Sequence, residues 1–293
     1  MFSRKCGTRV RVALAGVLAA TVLLVTSAPA MAQDDPNPGA LTFTGGLDVP
    51  SIYFFRGLRQ ETDQTLTLWP YGDLGIAFFS GDGGLKSAGV NVGVWNSLHT
   101  GSSGTNGPSG HAHYEEDFYA TLALGFGGGV TVAPGYMALT SPNLMFNTVK
   151  EFQLKVSKAH MLAPYGFLAM ELTEDGHADA GTHKGTYLEL GVGPSWPLVA
   201  GGPTLAIPVK LGLSLKDYYE DATGNDSKFG FFDVGGLITV PLKGIPGKFG
   251  AWNIHGGVDF LFLGDTPKQF NVNKDGEQKD KKVVGLFGIG VTY

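Results

Sequence analysis

The segment "VVGLFGIGVTY" (283–293) places Val283, Gly285, Phe287, Ile289, Val291 and Tyr293 on one face of an extended strand, with Leu286, Gly288, Gly290 and Thr292 on the other. Such a strand has two edges to pair, and an open edge is an aggregation template unless the sheet closes on itself. Similar period-two segments run back through the chain at 249–263, 228–242, 203–218, 185–197, 163–173, 150–160, 130–140, 116–126, 87–99, 65–79 and 41–49. With the terminal one they make about twelve, each roughly ten residues or longer, the length of a tilted strand crossing a bilayer. No segment carries a convincing helical period.

The connections alternate in length. After the even-numbered segments stand "SGDGG", "GGG", "ML", "LVAGG" and "KGIPG". After the odd-numbered ones stand mostly longer polar stretches, such as "TGSSGTNGPSGHAHY", "EDGHADAGTHK", "YEDATGNDS" and "GDTPKQFNVNKDGEQKDK". This is the pattern of short periplasmic turns and long extracellular loops. The expectation is an all-β transmembrane antiparallel up-and-down β-barrel of about 12 strands over residues 41–293, in the bacterial outer membrane. Its last strand, with Phe287, Ile289, Val291 and Tyr293 as an assembly signal for the barrel-assembly machinery, is expected to pair with the first.

The N-terminus fits export. Arg4, Lys5, Arg9 and Arg11 precede the apolar run "ALAGVLAATVLLV", and Ala30 and Ala32 supply a small-residue cleavage pattern. Residues 1–32 read as a cleaved signal peptide and 33–40 as a short periplasmic segment. Cys6, the only cysteine, lies in the signal, so disulfides and thiolate chemistry are excluded for the remainder. Removing the signal leaves 17 basic against 26 acidic groups, a net charge of −9. With no basic stripe, nucleic acid is a poor partner.

Alternation sorts the faces. Leu205, Ile207, Val209, Leu211, Leu213 and Leu215 alternate with Lys210, Gly212, Ser214 and Lys216, and Phe152, Leu154 and Val156 with Glu151, Gln153 and Lys155. The residues expected to face the lumen are Asp48, Arg56, Asp73, Asp117, Glu151, Lys155, Glu171, Glu189, Lys210, Lys216, Asp233 and Asp259. A soluble barrel and a membrane barrel share this alternation with opposite sides inward. Aromatics near the strand ends favour the membrane. Phe78, Phe79, Phe126, Tyr165, Trp196, Phe249, Trp252 and Tyr293 gather at the short turns, and Tyr53, Tyr114, Tyr187, Tyr218, Tyr219 and Phe229 near the loops, as two interfacial girdles.

In "PSIYFFRGLRQETD" (50–63), Ser51, Tyr53, Phe55, Arg56, Gly57 and Gln60 resemble the S-x-Y-x-F-R-G-x-x-Q signature of TorF-type outer-membrane porins, a poorly characterised Gram-negative family. "VGVWNS" (92–97) and Glu115, Asp117 and Tyr119 are similar to later family segments. The resemblance covers the first third of the chain and implies an outer-membrane barrel with passive transport. Independently, Arg56 shares strand parity with Asp48, so its guanidinium is expected to pair with a lumen carboxylate and hold the first loop.

Catalytic and metal signals are weak. No histidine has a serine two residues on, as the outer-membrane phospholipase pattern requires, though a Ser–His–carboxylate site assembled from distant loops stays open. His111, His113, Glu115, Glu116, His177 and His183 offer metal-ligand types but read as solvated loop residues. Asn271, Asn273, Asp275 and Gly276 resemble half a calcium loop that ends on Lys282 instead of glutamate. The expectation is therefore a non-enzymatic channel for small hydrophilic solutes or ions, without cofactor or metal, weakly cation-preferring from its acidic lumen. The alternative is a closed structural or interaction barrel in outer-membrane lipid whose extracellular loops bind a partner or lipopolysaccharide. Its Lys268, Lys274, Lys279, Lys281 and Lys282 loop would then meet lipopolysaccharide phosphates, or simply be solvated.

Overall fold

A computed structural model describes residues 39–293 apart from Asp175, Ala180 and Lys274. The signal segment, residues 33–38 and Lys274 of the lysine-bearing loop lie outside the described residues. Twelve wall strands follow in order: β1 Leu41–Pro50, β2 Thr67–Ser80, β3 Leu85–His99, β4 His113–Phe126, β5 Val130–Thr140 and β6 Val149–Lys158. The second half adds β7 Tyr165–Glu171, β8 Thr186–Val192 continued by Ser195–Pro197, β9 Thr204–Ala206 continued by Val209–Lys216, β10 Phe229–Pro241, β11 Ala251–Leu263 and β12 Lys281–Thr292. Pro194 and Pro208 interrupt β8 and β9 because proline brings no N–H to the ladder. Both carbonyls still accept, from Ile207 and Gly235, so the wall continues across the breaks.

Each strand pairs antiparallel with its sequence neighbours, and β12 pairs with β1 from Thr44↔Thr292 to Pro50↔Leu286. Phe43 and Tyr293 complete the seam by exchanging two N–H···O bonds of 2.7 Å. The result is a closed twelve-stranded barrel. No helix among the described residues is long and apolar enough to cross a membrane; one short α-helix, α1 Asp265–Phe270, lies in the last long loop.

The faces are those of a barrel in lipid. Along β4, Asp117, Tyr119 and Thr121 are buried, while Phe118 between them is 49% exposed. Leu74, Phe152, Leu190, Phe260 and Phe287 likewise stand exposed around the outside, and Asp73, Glu151, Glu189, Asp233 and Asp259 are buried within. An apolar belt around a polar interior is stable only with hydrocarbon outside, the arrangement of bacterial outer-membrane barrels. At the turn side, Phe78, Phe79, Phe126, Trp196, Phe249 and Tyr293 form an exposed aromatic ring.

The loop-side girdle needs correction. Phe229 faces outward, but Tyr53, Tyr114, Tyr187, Tyr218 and Tyr219 are buried inside the barrel, as Tyr165 is partly at the turn side. Position along the strand located these rings; parity and the course of the loops decide which way they face.

Phe118→Arg would place a guanidinium in the belt near mid-strand. It is expected to cost about 2–4 kcal/mol of folding free energy in bilayers, measured by denaturant titration in liposomes.

Candidate functional site

The first long connection, 51–66, turns into the barrel. Its root is fixed at the β12 seam, where Ser51 N–H donates to Gly285 O and Gly285 N–H to Ser51 Oγ, both at 2.8 Å. Gln64 braces the entry, accepting from Tyr53 N–H at 2.8 Å and donating to Pro50 O at 3.0 Å. Between them Phe54–Phe55 and Leu58–Arg59 form a small hairpin around Arg56 and Gly57, whose φ values are +46° and +82°. Positive φ at both central residues is what a two-residue type I′ turn requires. Gly57 is needed twice over, since a Cβ there would lie 2.9 Å from the Phe231 ring. The hairpin is a sheet of its own, unpaired with the wall.

Its side chains bridge the lumen. Ile52, Phe54 and Leu58 pack with Phe167, Tyr187, Tyr218, Tyr219 and Phe231 on one side. Tyr53 and Phe55 pack with Trp69, Trp95, Tyr114 and Met137 on the other. At the hairpin tip Arg56 donates to both Glu151 oxygens, at 2.6 and 2.8 Å, and to Tyr218 OH at 2.7 Å. Four rings surround the guanidinium, Phe55 at 4.6 Å, Tyr187 at 4.8 Å, Tyr218 at 5.4 Å and Phe167 at 5.5 Å from centroid to Cζ. Tyr219 OH donates to the Arg56 carbonyl, and Gln153 donates to Glu151. Both members of the ion pair are fully buried. A buried pair contributes little net stability, yet removing one partner leaves an uncompensated charge.

The rest of the lumen is polar and more open toward the turn side. Tyr53 donates to Glu115, Asn91 to Asp73, and Tyr165 and Tyr187 to Glu189. Lys210 pairs with Asp233 at 3.1 Å and His255 with Asp48 at 2.9 Å, all partly accessible except Asp233. Lys155 lies 4.6 Å from the Tyr165 ring centroid. Among the described residues, Thr121 Oγ1, Gln153 Oε1 and one oxygen each of Asp233 and Asp259 meet no protein partner. Buried acceptors of this kind call for water or ions. Inward glycines keep the axis clear, because Tyr71 lies over Gly46, Tyr119 over Gly93, Tyr165 over Gly191 and Phe231 over Gly212, where any Cβ would strike the ring.

Of the residues assigned to the lumen from alternation, Asp73, Asp117, Glu151, Glu171, Glu189, Asp233 and Asp259 are buried and Asp48, Lys155 and Lys210 half-buried, with Glu171 at the outer end accepting N–H bonds from Ala178 and Gly185. Lys216 differs: it is exposed at the outer rim, 3.5 Å from Asp217, because a register shift sets Ser214 opposite Tyr187 but Lys216 opposite Thr186, which breaks the inward alternation before the strand ends. Several loop side chains read as solvated are tied down instead. Glu115 is buried, His113 meets Asn96, and His177 meets Glu171. Among the described residues no group of three or more His, Cys, Asp or Glu side chains is arranged to hold a metal.

One constellation escaped the sequence reading. Ser97 Oγ lies 2.7 Å from His99 Nε2, His99 Nδ1 lies 2.7 Å from Ser103 Oγ, and Glu61 Oε2 is 3.4 Å from the same nitrogen. These are the residue types of a hydrolase triad. Ser97 and His99 are fully buried, Trp69 donates to Ser97, and Tyr114 stacks on the imidazole at 4.1 Å. With no approach for a substrate, the network ties the first outer loop to the second. The inward parity of Ser97 and His99 was its only signal.

No family model matches the chain, and no curated protein does. The TorF-type resemblance therefore rests on the motif residues alone. Solved structures resemble it in overall fold. The NanC porin is 12% identical, covering 86% of this chain and 99% of its own, with a TM-score of 0.41. The translocator domain of the autotransporter NalP from Neisseria meningitidis is 14% identical over 87% and 89%, with 0.43. The outer membrane phospholipase A from Escherichia coli is 10% identical over 87% and 93%, with 0.44. A porin, a translocator and a phospholipase share this likeness, which selects no function.

Two outcomes follow from the site. Arg56→Met should cost about 3–5 kcal/mol by stranding the Glu151 carboxylate, and adding Glu151→Leu should recover most of it, in a double-mutant cycle on unfolding. The second concerns the outer loops, where Glu220 accepts from His183 at 2.7 Å and from two backbone N–H groups. That hydrogen bond raises the His183 pKa above its ordinary value, and burial pushes Asp179 up to about 7. Raised folded values favour the protonated forms, so these contributions are full at low pH and fall as pH rises through the folded values. Amides 176–179, 181–184 and 217–227 should loosen as pH rises from about 4 to 7 through Asp179, with the His183 share lost above about pH 6.5, read by hydrogen exchange corrected for its intrinsic rate, with a smaller change in His183→Gln.

Proposed function

We propose that the chain forms a passive outer-membrane channel for small hydrophilic solutes, with the first-loop hairpin as its constriction. The observation that carries this reading is the separation of obstruction from wall. The barrel interior is polar, accessible in its turn-side half and supplied with acceptors that water would satisfy, whereas the hairpin, among the described residues, shares no ladder with the wall. A barrel built only to be solid has no need of a lumen lined by carboxylates laid beside glycines. Asp48, Asp73, Asp117, Glu171, Glu189, Asp233 and Asp259 against Lys155 and Lys210 favour cations, since Arg56 and Glu151 neutralise one another. The wall is surrounded by lipid and lipopolysaccharide, and the terminal strand is the segment offered to the assembly machinery.

The second reading is a closed structural or interaction barrel. The fully buried Arg56–Glu151 pair and the aromatic clusters closing the outer half favour it. The exposed Lys279 and Lys281, with the half-buried Lys268, would then serve lipopolysaccharide contact.

Single-channel recording of refolded protein in planar bilayers separates the two. Discrete steps are expected, with a reversal potential across a salt gradient of cation-selective sign. Wild type is expected to spend much of its time closed, and hairpin deletion to raise conductance severalfold. Silence from both proteins, each folded and heat-modifiable, would sink the channel reading.

A further inference from the structure

The pocket around the Arg56 guanidinium is built without the residue that fills it. Glu151 comes from β6, Phe167 from β7, Tyr187 from β8 and Tyr218 from the loop after β9. Gln153, also on β6, orients the carboxylate. Of the four surrounding rings only Phe55 belongs to the hairpin. A carboxylate placed for two parallel N–H bonds, a hydroxyl acceptor beside it and rings around a cation make a receptor for one chemical group. The forked contact suits a planar guanidinium, and an ammonium cannot reproduce it; the rings add attraction for the desolvated cation.

We infer that Glu151, Tyr218, Tyr187 and Phe167 form a guanidinium-binding site on the lumen wall, filled in cis by Arg56 and open to guanidinium-bearing solutes when the hairpin withdraws. Two features let Arg56 be exchanged. The turn holds it at a positive φ that a residue other than glycine adopts at a cost, and the hairpin shares no ladder with the wall. Exchange competes against a tethered rival whose effective concentration, of millimolar order even on a short flexible linker, is raised by the packing of the hairpin, so free solutes would engage at millimolar levels or above. That is the regime of a passive channel rather than of a scavenging receptor. The passage of such solutes rests on the channel reading, whereas the pocket itself does not.

The test uses full-length mature barrel carrying Arg56→Ala and the melting midpoint of its heat-modifiable fold. N-Ethylguanidinium supplies the atoms removed, and ethylammonium is the control. The midpoint should rise saturably with ethylguanidinium in the millimolar range, stay unchanged with ethylammonium, and fail to respond in Arg56→Ala/Glu151→Gln, which also corrects for general effects of the salt. A folded Arg56→Ala barrel without a saturable, Glu151-dependent shift overturns the site.

Should that variant not refold, wild type decides through hydrogen exchange of amides 54–59. Ethylguanidinium should accelerate it more than ethylammonium does, and equal rates in the two salts overturn the proposal. Bilayer recordings keep the two readings apart. Stabilisation without conductance retains the pocket and removes the channel, and conductance by Arg56→Ala without stabilisation retains the channel and removes the pocket.

Discussion

Everything in this molecule depends on the seam between β12 and β1. In hydrocarbon an unpaired backbone N–H or carbonyl costs several kcal/mol, so a sheet can cross a bilayer only if it has no edge. Seven register pairs and the two bonds between Phe43 and Tyr293 remove that edge. Once the wall is closed, lipid solvates its outer face, and apolar residues are better placed outside than in. The interior is thereby released from supplying a core and can hold carboxylates, lysines and an inserted loop.

That freedom explains the inner surface. In a soluble domain, rings such as Tyr119 and Tyr165 would point into a core and fill it. Here they lie along the wall over Gly93 and Gly191, and shorter polar side chains face the axis. Glycine abundance, puzzling in a chain without low-complexity segments, acquires a structural use on the inner face. The one place where the lumen is filled in the manner of a soluble core is the level of the hairpin, and there the filling comes from a loop rather than from the wall.

The wall was legible from sequence because a strand's period of two and its bilayer-set length are local properties. Each of the twelve segments read from alternation has its strand, including β8 and β9, whose ladders are broken at Pro194 and Pro208. The faces were legible in relative terms, and exposure of Phe118 beside buried Asp117 fixes their absolute sense. The site was legible only in outline. Arg56 was marked by parity and motif, but its partner was one of several lumen carboxylates until register across six strands set it against Glu151. The tyrosines at 53, 114, 187, 218 and 219 were misread as girdle because nothing local distinguishes a ring facing lipid from one facing an inserted loop. The Ser97–His99–Glu61 network needed the fold of that loop before it could exist.

The chemistry of the hairpin's hold bears on what it is for. Apolar clusters alone would seat it without orienting it, since burial of Ile52, Phe54 and Leu58 is non-directional. The Arg56–Glu151 pair adds direction at small net gain, because desolvation of both ions offsets most of their attraction. A positive φ at Arg56 subtracts further. Strong specification joined to modest net stabilisation is the balance expected of an element that must return to one position after leaving it. A permanent seal would be better served by apolar side chains at both positions, which would hold as firmly with no charge to desolvate.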